Sequence, residues 1–266
     1  MNNFFERVAL RQTEIDSLLC IGLDPEPSRF PERYLNADRP VLQFCLEVIE
    51  ATHDLTCCYK PQFAHFAAAD ALEDLKEVIA YLRAKSIPVI LDAKRGDVGS
   101  TSRYYAEEAF DVYGADALTV NPYLGGDSLE PFLGRSDKGI ILLCRTSNPG
   151  GLDLQNQTLT SGRELYEHIA ELASTRWNTN QNIGLVVGAT RPDELARVRK
   201  IVGGMFLLLP GIGAQGGDIK ASLVAGSGGG LIVSSSRAIL YPIGEDFGEF
   251  RRRASLSSAA INEFRS

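Results

Sequence analysis

The stretch Pro88-Val89-Ile90-Leu91-Asp92-Ala93-Lys94-Arg95-Gly96-Asp97 begins as an apolar run of strand type and ends in charge. Side chains two residues apart on a strand point the same way, so Asp92 and Lys94 share one face and Ala93 lies opposite. A glycine then permits a tight turn, which places Asp97 just past the strand end. Two carboxylates thus flank one ammonium group. This pattern indicates either an active site or a surface ion pair.

The composition describes an ordinary globular protein. Of its 266 residues, 44% are hydrophobic and 23% are charged, and the formal net charge is −7. This length suits one domain, and we expect residues 1–266 to form a single one. A negative chain without a basic tail argues against a nucleic-acid partner. The N-terminus lacks an apolar leader and no run reaches membrane-spanning length, so we expect no membrane partner.

The cysteines and histidines show no spacing typical of a metal site. An odd number of cysteines without a C-x-x-C pair predicts reduced, buried thiols and therefore a soluble cytoplasmic protein. We therefore expect no bound metal ion. The five cysteines are Cys20, Cys45, Cys57, Cys58 and Cys144, and the three histidines are His53, His65 and His168.

Apolar runs of strand type alternate with helical periodicity along the whole chain. The runs are apolar throughout, which is typical of a parallel sheet buried on both faces. About eight such strand-then-helix units predict an α/β fold, a single (β/α)₈ TIM barrel. A doubly wound open sheet is the alternative, although no Gly-x-Gly-x-x-Gly follows the first strand. The predicted strands are 18–24, 57–63, 88–97, 116–120, 139–146, 182–189, 205–209 and 231–237.

Catalytic groups of such barrels lie at the carboxyl ends of the strands. Neighbouring strands are about 4.8 Å apart, so Lys60 on the second predicted strand approaches Asp92 on the third. Adding Lys94 and Asp97 gives alternating charges, each with an opposite neighbour, so that all four stay ionised. The alternative is an ion-pair network that only closes the barrel mouth.

The loops after the last two strands indicate an anion site. Barrels often bind phosphate there. The first loop, 210–218, is rich in glycine and offers backbone N–H groups, and the second brings the guanidinium of Arg237. The two together predict a phosphorylated small-molecule substrate. Two further residues are ambiguous, since Asp24 and Ser147 would serve either as ligand contacts or as turn formers.

These motifs resemble one known family. Leu91–Asp97 matches the D-x-K-x-x-D signature of orotidine 5′-phosphate decarboxylases. Other segments are similar, in the same order, to the longer form of that family seen in bacteria. They are 22–25, 59–62, 146–150, 210–218 and 234–237.

The resemblance implies a reaction: decarboxylation of orotidine 5′-monophosphate (OMP) to uridine 5′-monophosphate (UMP) without a metal or organic cofactor. It makes Lys94 the acid that protonates C6 of the pyrimidine. It makes Asp92 the carboxylate beside that of the substrate, with Lys60 and Asp97 as the partners that fix the array.

The resemblance also implies a homodimer, in which Asp97 and Thr101 enter the neighbouring subunit's site. The same carry-over assigns Asp24 to the ribose hydroxyls, Ser147 to the base, and Gln215 and Arg237 to the phosphate. Two alternatives stay open. Related barrels with the same signature use Mg²⁺, but they carry glutamate where Lys60 stands. The second alternative is a nucleotide-binding or scaffold barrel that has kept the fold but lost the catalytic activity.

Overall fold

The computed structural model describes residues 3–189, 191–211, 219–241 and 247–265. Its eight parallel strands form a nearly closed barrel, which confirms the predicted fold and excludes the open sheet. The strands are β1 (Leu19–Leu23), β2 (Cys58–Pro61), β3 (Ile90–Arg95), β4 (Ala117–Val120), β5 (Gly139–Arg145), β6 (Ile183–Val187), β7 (Leu207–Pro210) and β8 (Leu231–Ser235). Their order in the sheet is β2-β1-β8-β7-β6-β5-β4-β3.

Helices alternate with these strands and pack against the barrel. The α-helices among the described residues are α1 (Phe4–Glu14), α2 (Glu32–Leu35), α3 (Pro40–Thr52), α4 (Phe63–Ala68), α5 (Leu72–Ala84), α6 (Gly99–Glu107), α7 (Gly126–Leu133), α8 (Gly151–Leu154), α9 (Leu165–Thr175), α10 (Pro192–Val202), α11 (Ile219–Gly226), α12 (Arg237–Leu240) and α13 (Phe247–Asn262). A π-helical turn, Glu108–Val112, extends α6. The short helices α2, α4, α8 and α12 have only one or two turns each, which is too little for helical periodicity to show in the sequence.

The N-terminal end of the barrel is sealed by α1. Phe4 and Phe5 enter the apolar interior, where they join buried side chains of alternate strand positions. Gly139 and Gly184 make room for the two rings, since a Cβ atom there would lie 2.4 Å and 2.8 Å from ring carbons of Phe4 and Phe5. Within the described part of the chain, this end of the barrel is therefore closed, and a ligand would approach the axis from the carboxyl ends of the strands.

The sheet is irregular where β3 meets each of its two neighbours. Strands β2 and β3 are joined by isolated bridges, Tyr59 with Val89 and Gln62 with Asp92. Strand β3 also bulges against β4, because Leu91 pairs with Leu118 while Arg95 pairs with Val120. Three residues of β3 thus face one residue of β4, and bulges of this kind redirect side chains. Both irregularities fall on the segment that carries the predicted site.

The five cysteines are buried and unpaired, which confirms the prediction of reduced thiols. Among the helices that the structure describes, none combines the length and the apolar composition needed to cross a bilayer.

Candidate active site

The centre of the site is a carboxylate held between two ammonium groups. Lys60 Nζ lies 2.6 Å from Asp92 Oδ2, and Lys94 Nζ lies 2.7 Å from Asp92 Oδ1. Lys60 and Asp92 are buried, whereas 47% of the Lys94 side chain is exposed. We call these three residues the charge array. Its exposed member is the one that a ligand in the barrel mouth would meet.

Charge attraction keeps the buried pair ionised. Burial by itself would raise the pKa of Asp92, but Lys60 and Lys94 outweigh it and hold that pKa well below its usual range. Burial would likewise lower the pKa of Lys60, but the negative charges of Asp92 and Asp24 and the hydrogen bond to Asp92 raise it. Both groups therefore remain charged throughout the neutral range.

This pairing predicts a pH-dependent stability difference between wild type and Lys60→Met. At neutral pH the variant should be about 3–5 kcal/mol less stable, because Asp92 loses a buried partner. A depressed carboxyl pKa stabilises the fold above the unfolded value of about 3.9, and this contribution is lost as pH falls through the folded pKa. In the variant, Asp92 also takes up a proton more readily.

Both effects reduce the stability difference as the solution is acidified. Denaturant unfolding between pH 3 and pH 9 measures this trend. Lys85→Met is the matched control, because its partner Glu50 is exposed and solvent-exposed ion pairs contribute little to stability. A difference that grows on acidification would contradict the assignment.

Asp97 does not join the charge array within this chain. No ion pair of Asp97 occurs among the described residues, and its Oδ1 accepts a hydrogen bond from the backbone N–H of Val98 at 2.7 Å. The expectation of alternating charges from the lysines to Asp97 is therefore wrong for a single chain. The physical reason is that β3 ends at Arg95 and α6 starts at Gly99, so Asp97 lies on the turn between them and not on the strand that carries Asp92 and Lys94.

Thr119, which the sequence analysis missed, completes the surroundings of Asp92. Its hydroxyl donates to Asp92 Oδ1 at 2.9 Å and accepts from the backbone N–H groups of Ala93 and Lys94, both at 3.0 Å. Lys94 itself adopts a left-handed backbone conformation, with φ of 48°. The only signal in the sequence was a polar residue two positions after Ala117, on the interior face of an apolar strand.

Arg95, beside Lys94 on β3, points to the outside of the barrel. Its guanidinium donates two hydrogen bonds of 2.9 Å to Glu108 and stacks on the rings of Phe63 and Tyr105. These contacts anchor the end of β3 from outside while Asp92 and Lys94 face inward.

Asp24 lies at the end of β1, where it accepts a hydrogen bond from Ser236 beyond β8. Its other carboxylate oxygen, Oδ1, is buried and has no hydrogen-bond partner among the described residues. Buried acceptors are normally paired, so this oxygen is available to a hydroxyl group of a ligand.

Ser147 lies on a loop that is held by a buried ion pair. Arg145, at the end of β5, places its Nε 2.8 Å from Glu194 Oε2, and both side chains are buried. Gln155 accepts a hydrogen bond from the backbone N–H of Thr146 at 2.8 Å. The half-buried Ser147 is thereby fixed at the rim.

The remaining predicted residues lie around the mouth or outside the description. Arg237 is exposed at the first position of α12, and Thr101 is exposed in the first turn of α6. Gln215, with most of the glycine-rich loop, lies outside the described residues. The structure therefore brings together Lys60, Asp92 and Lys94, and sets Asp24 on the neighbouring strand β1.

Two cavities, of about 720 and 360 Å³, lie beside α9, and no member of the charge array lines either of them. Within the described ranges, no three His, Cys, Asp or Glu side chains are arranged to hold a metal ion. The candidate site is thus defined by its charges rather than by the depth of a cleft.

The chain is similar to known proteins both in sequence and in structure. The sequence profile of the "Orotidine 5'-phosphate decarboxylase / HUMPS family" matches residues 17–241. An orotidine 5′-phosphate decarboxylase of Aromatoleum aromaticum is 54% identical over 94% of this chain and 95% of its own. That of Dechloromonas aromatica is 52% identical over 98% and 99%.

Solved structures give the same result. The OMP decarboxylase of Leishmania donovani superimposes with a TM-score of 0.85 at 40% identity, over 99% of this chain and 98% of its own. The UMP synthase of the same organism gives a TM-score of 0.89 at 41% identity. This chain spans 57% of that longer protein.

Proposed function

Because the chain belongs to the orotidine 5′-phosphate decarboxylase / HUMPS family, we propose that its charge array carries out the reaction of that family. The enzyme converts OMP to UMP in pyrimidine biosynthesis. One observation supports the mechanism above the others: the buried carboxylate of Asp92 is bonded to two ammonium groups, one of which is half exposed toward the mouth.

The chemistry needs a cation near C6 of the pyrimidine. When the bond from C6 to the carboxylate breaks, CO₂ leaves and the electron pair stays on C6, where no adjacent carbonyl can delocalise it. The ammonium group of Lys94 stabilises this charge as it forms, without a cost of reorganisation. The same group then transfers one proton to C6, which gives UMP and leaves Lys94 to be reprotonated from solvent.

Asp92 and Lys60 set up this step. Asp92 would lie beside the carboxylate of the substrate, and their repulsion is relieved when CO₂ leaves. Lys60 keeps Asp92 ionised and fixed from the buried side. Binding energy from the distant phosphate offsets the cost of bringing two carboxylates together.

The nucleotide would span the mouth of the barrel. We assign Asp24 to the ribose hydroxyls, because its Oδ1 is buried and lacks a described partner. Ser147 is assigned to the base and Arg237 to the phosphate, together with Gln215. The exposed guanidinium of Arg237 has no ion pair among the described residues, so it is free to bind an anion.

Arg237→Ala should weaken the binding of UMP by about 1.5–3 kcal/mol, the range for hydrogen bonds to charged groups. Isothermal titration with UMP and with uridine separates the two ends of the ligand, since only the phosphate-bearing compound should lose affinity. Arg252→Ala, which removes an arginine paired with Glu249 on α13, is the control. An unchanged dissociation constant for UMP would remove Arg237 from the phosphate site.

We propose that the active unit is a homodimer. Asp97 makes no described ion pair within its own chain, and Thr101, in the first turn of α6, is exposed, so both are available to a second chain. Large apolar side chains lie exposed in the same region, on the segments after β3 and β4: Val98 (56%), Tyr104 (68%) and Tyr123 (71%). A contiguous exposed apolar patch is typical of an interface, and these three side chains would contribute to one in the proposed dimer.

We also propose that the reaction needs no metal ion and takes place in the cytoplasm. The ammonium group of Lys60 sits 2.6 Å from Asp92, where a metal ion would have to bind in the Mg²⁺-dependent alternative. The five buried, unpaired thiols favour a reducing compartment.

The decisive assay follows the loss of orotate absorbance when purified protein is mixed with OMP, with and without a chelator. Equal turnover in both supports the proposal, and loss of activity on chelation favours the Mg²⁺-dependent alternative. Absent turnover under both conditions would favour a barrel that has lost its chemistry.

A further inference from the structure

We propose that Thr119 is the positioning residue that shapes the catalytic segment of β3, an inference that rests on the proposed roles of Asp92 and Lys94. Strand β3 is irregular at this point. It has three residues between Leu91 and Arg95, whereas the matching interval of β4 contains one residue, Thr119. The side chain of Thr119 occupies the position opposite the bulge.

The hydroxyl of Thr119 replaces the missing ladder of backbone hydrogen bonds. It accepts from the N–H groups of Ala93 and Lys94, at 3.0 Å each. A hydroxyl oxygen has two acceptor positions and one proton. Because two backbone donors fill both acceptor positions, the proton must point elsewhere, and the acceptor 2.9 Å away is Asp92 Oδ1.

This arrangement orients both catalytic partners at once. Asp92 Oδ1 receives hydrogen bonds from Thr119 and from the ammonium group of Lys94, while Oδ2 receives that of Lys60. The same hydroxyl holds the backbone N–H of Lys94, whose φ of 48° is unfavourable for a residue with a side chain. A left-handed residue persists when its surroundings fix it, and Thr119, 1% exposed, supplies that constraint.

The alternative is that Thr119 only fills space in the barrel. Valine has the same shape without the hydroxyl, whereas serine keeps the hydroxyl without the methyl group. A space-filling role predicts that Thr119→Val is active and Thr119→Ser is impaired. A positioning role predicts the reverse.

The test measures kcat and KM for OMP, the dissociation constant of UMP, and thermal unfolding. Thr119→Val should lower kcat by about 10- to 100-fold, the effect of one charge-assisted hydrogen bond, with KM and UMP affinity within about threefold of wild type. Thr119→Ser should keep kcat within about threefold. A kcat of Thr119→Val within about twofold of wild type, or equal losses in both variants, would overturn the proposal.

Thr56→Val is the matched control. Thr56 is also buried and donates a hydrogen bond to a backbone oxygen, that of Thr52 at 2.8 Å, but it precedes β2 at the sealed end of the barrel. This variant should lower the unfolding temperature and leave kcat unchanged. If Thr119→Val does not fold, Thr119→Ala is compared with Thr119→Ser, and equal kcat values for these two would overturn the proposal.

Lys94→Ala, measured in parallel, separates this inference from the function on which it rests. If Lys94→Ala is inactive and Thr119→Val is fully active, only the role of Thr119 is wrong. If Lys94→Ala retains wild-type turnover, the mechanism itself is wrong.

Discussion

Replacing Lys94 by alanine should lower kcat for OMP by at least about 10⁴-fold, the largest loss expected from any single side chain of this site. Two contributions disappear together: electrostatic stabilisation of the negative charge on C6, about 10²- to 10³-fold, and general acid catalysis, about 10²- to 10⁴-fold. UMP should still bind within about tenfold of wild type, because the proposed phosphate and ribose contacts lie elsewhere. Stopped assays with OMP and titration with UMP measure the two effects separately.

Lys94→Arg divides the two contributions. A guanidinium keeps the positive charge near C6 but does not give up a proton in proteins, because its pKa exceeds 12. The kcat of Lys94→Arg should also be low. It should nevertheless exceed that of Lys94→Ala by the factor that electrostatic stabilisation of C6 contributes. Wild-type turnover in either variant would reject Lys94 as the acid.

Mixing two inactive variants should restore activity if the active unit is the proposed dimer. Lys94→Ala and Asp97→Ala should each be nearly inactive alone. In a mixed dimer, one site carries both substitutions, whereas the other combines Lys94 of one chain with Asp97 of its partner and is intact. Random exchange of subunits gives half mixed dimers, so about one quarter of the wild-type activity should return.

A second mixture serves as the control. Asp92 and Lys94 touch within one chain, so Asp92→Asn mixed with Lys94→Ala leaves no intact site and should restore nothing. Subunits are exchanged by brief dilution in mild denaturant, and activity is followed after its removal. No recovery in the first mixture, when mixed dimers are shown to form, would place Asp97 in the site of its own chain.

Local sequence patterns were enough to predict the barrel and to identify the charged residues. Apolar runs and helical periodicity are local signals, and the strand-then-helix alternation repeated along the chain allows few folds. The approach of Lys60 to Asp92 also followed from strand order, because neighbouring parallel strands end at the same rim. Charged residues at strand ends, such as Lys94, stood out because each one interrupts an apolar run.

The shape of the carboxyl end of β3, by contrast, depends on contacts between strands that are distant in sequence. The alternation of side chains along a strand explained why Asp92 and Lys94 share a face. It did not predict the bulge, the left-handed backbone of Lys94, or the hydrogen bonds of the Thr119 hydroxyl to both residues. These depend on register between two strands, and a register is a property of the pair, which neither strand encodes alone. The position of Asp97 outside the charge array has the same cause. The direction in which the backbone leaves a strand depends on the elements that pack beside it.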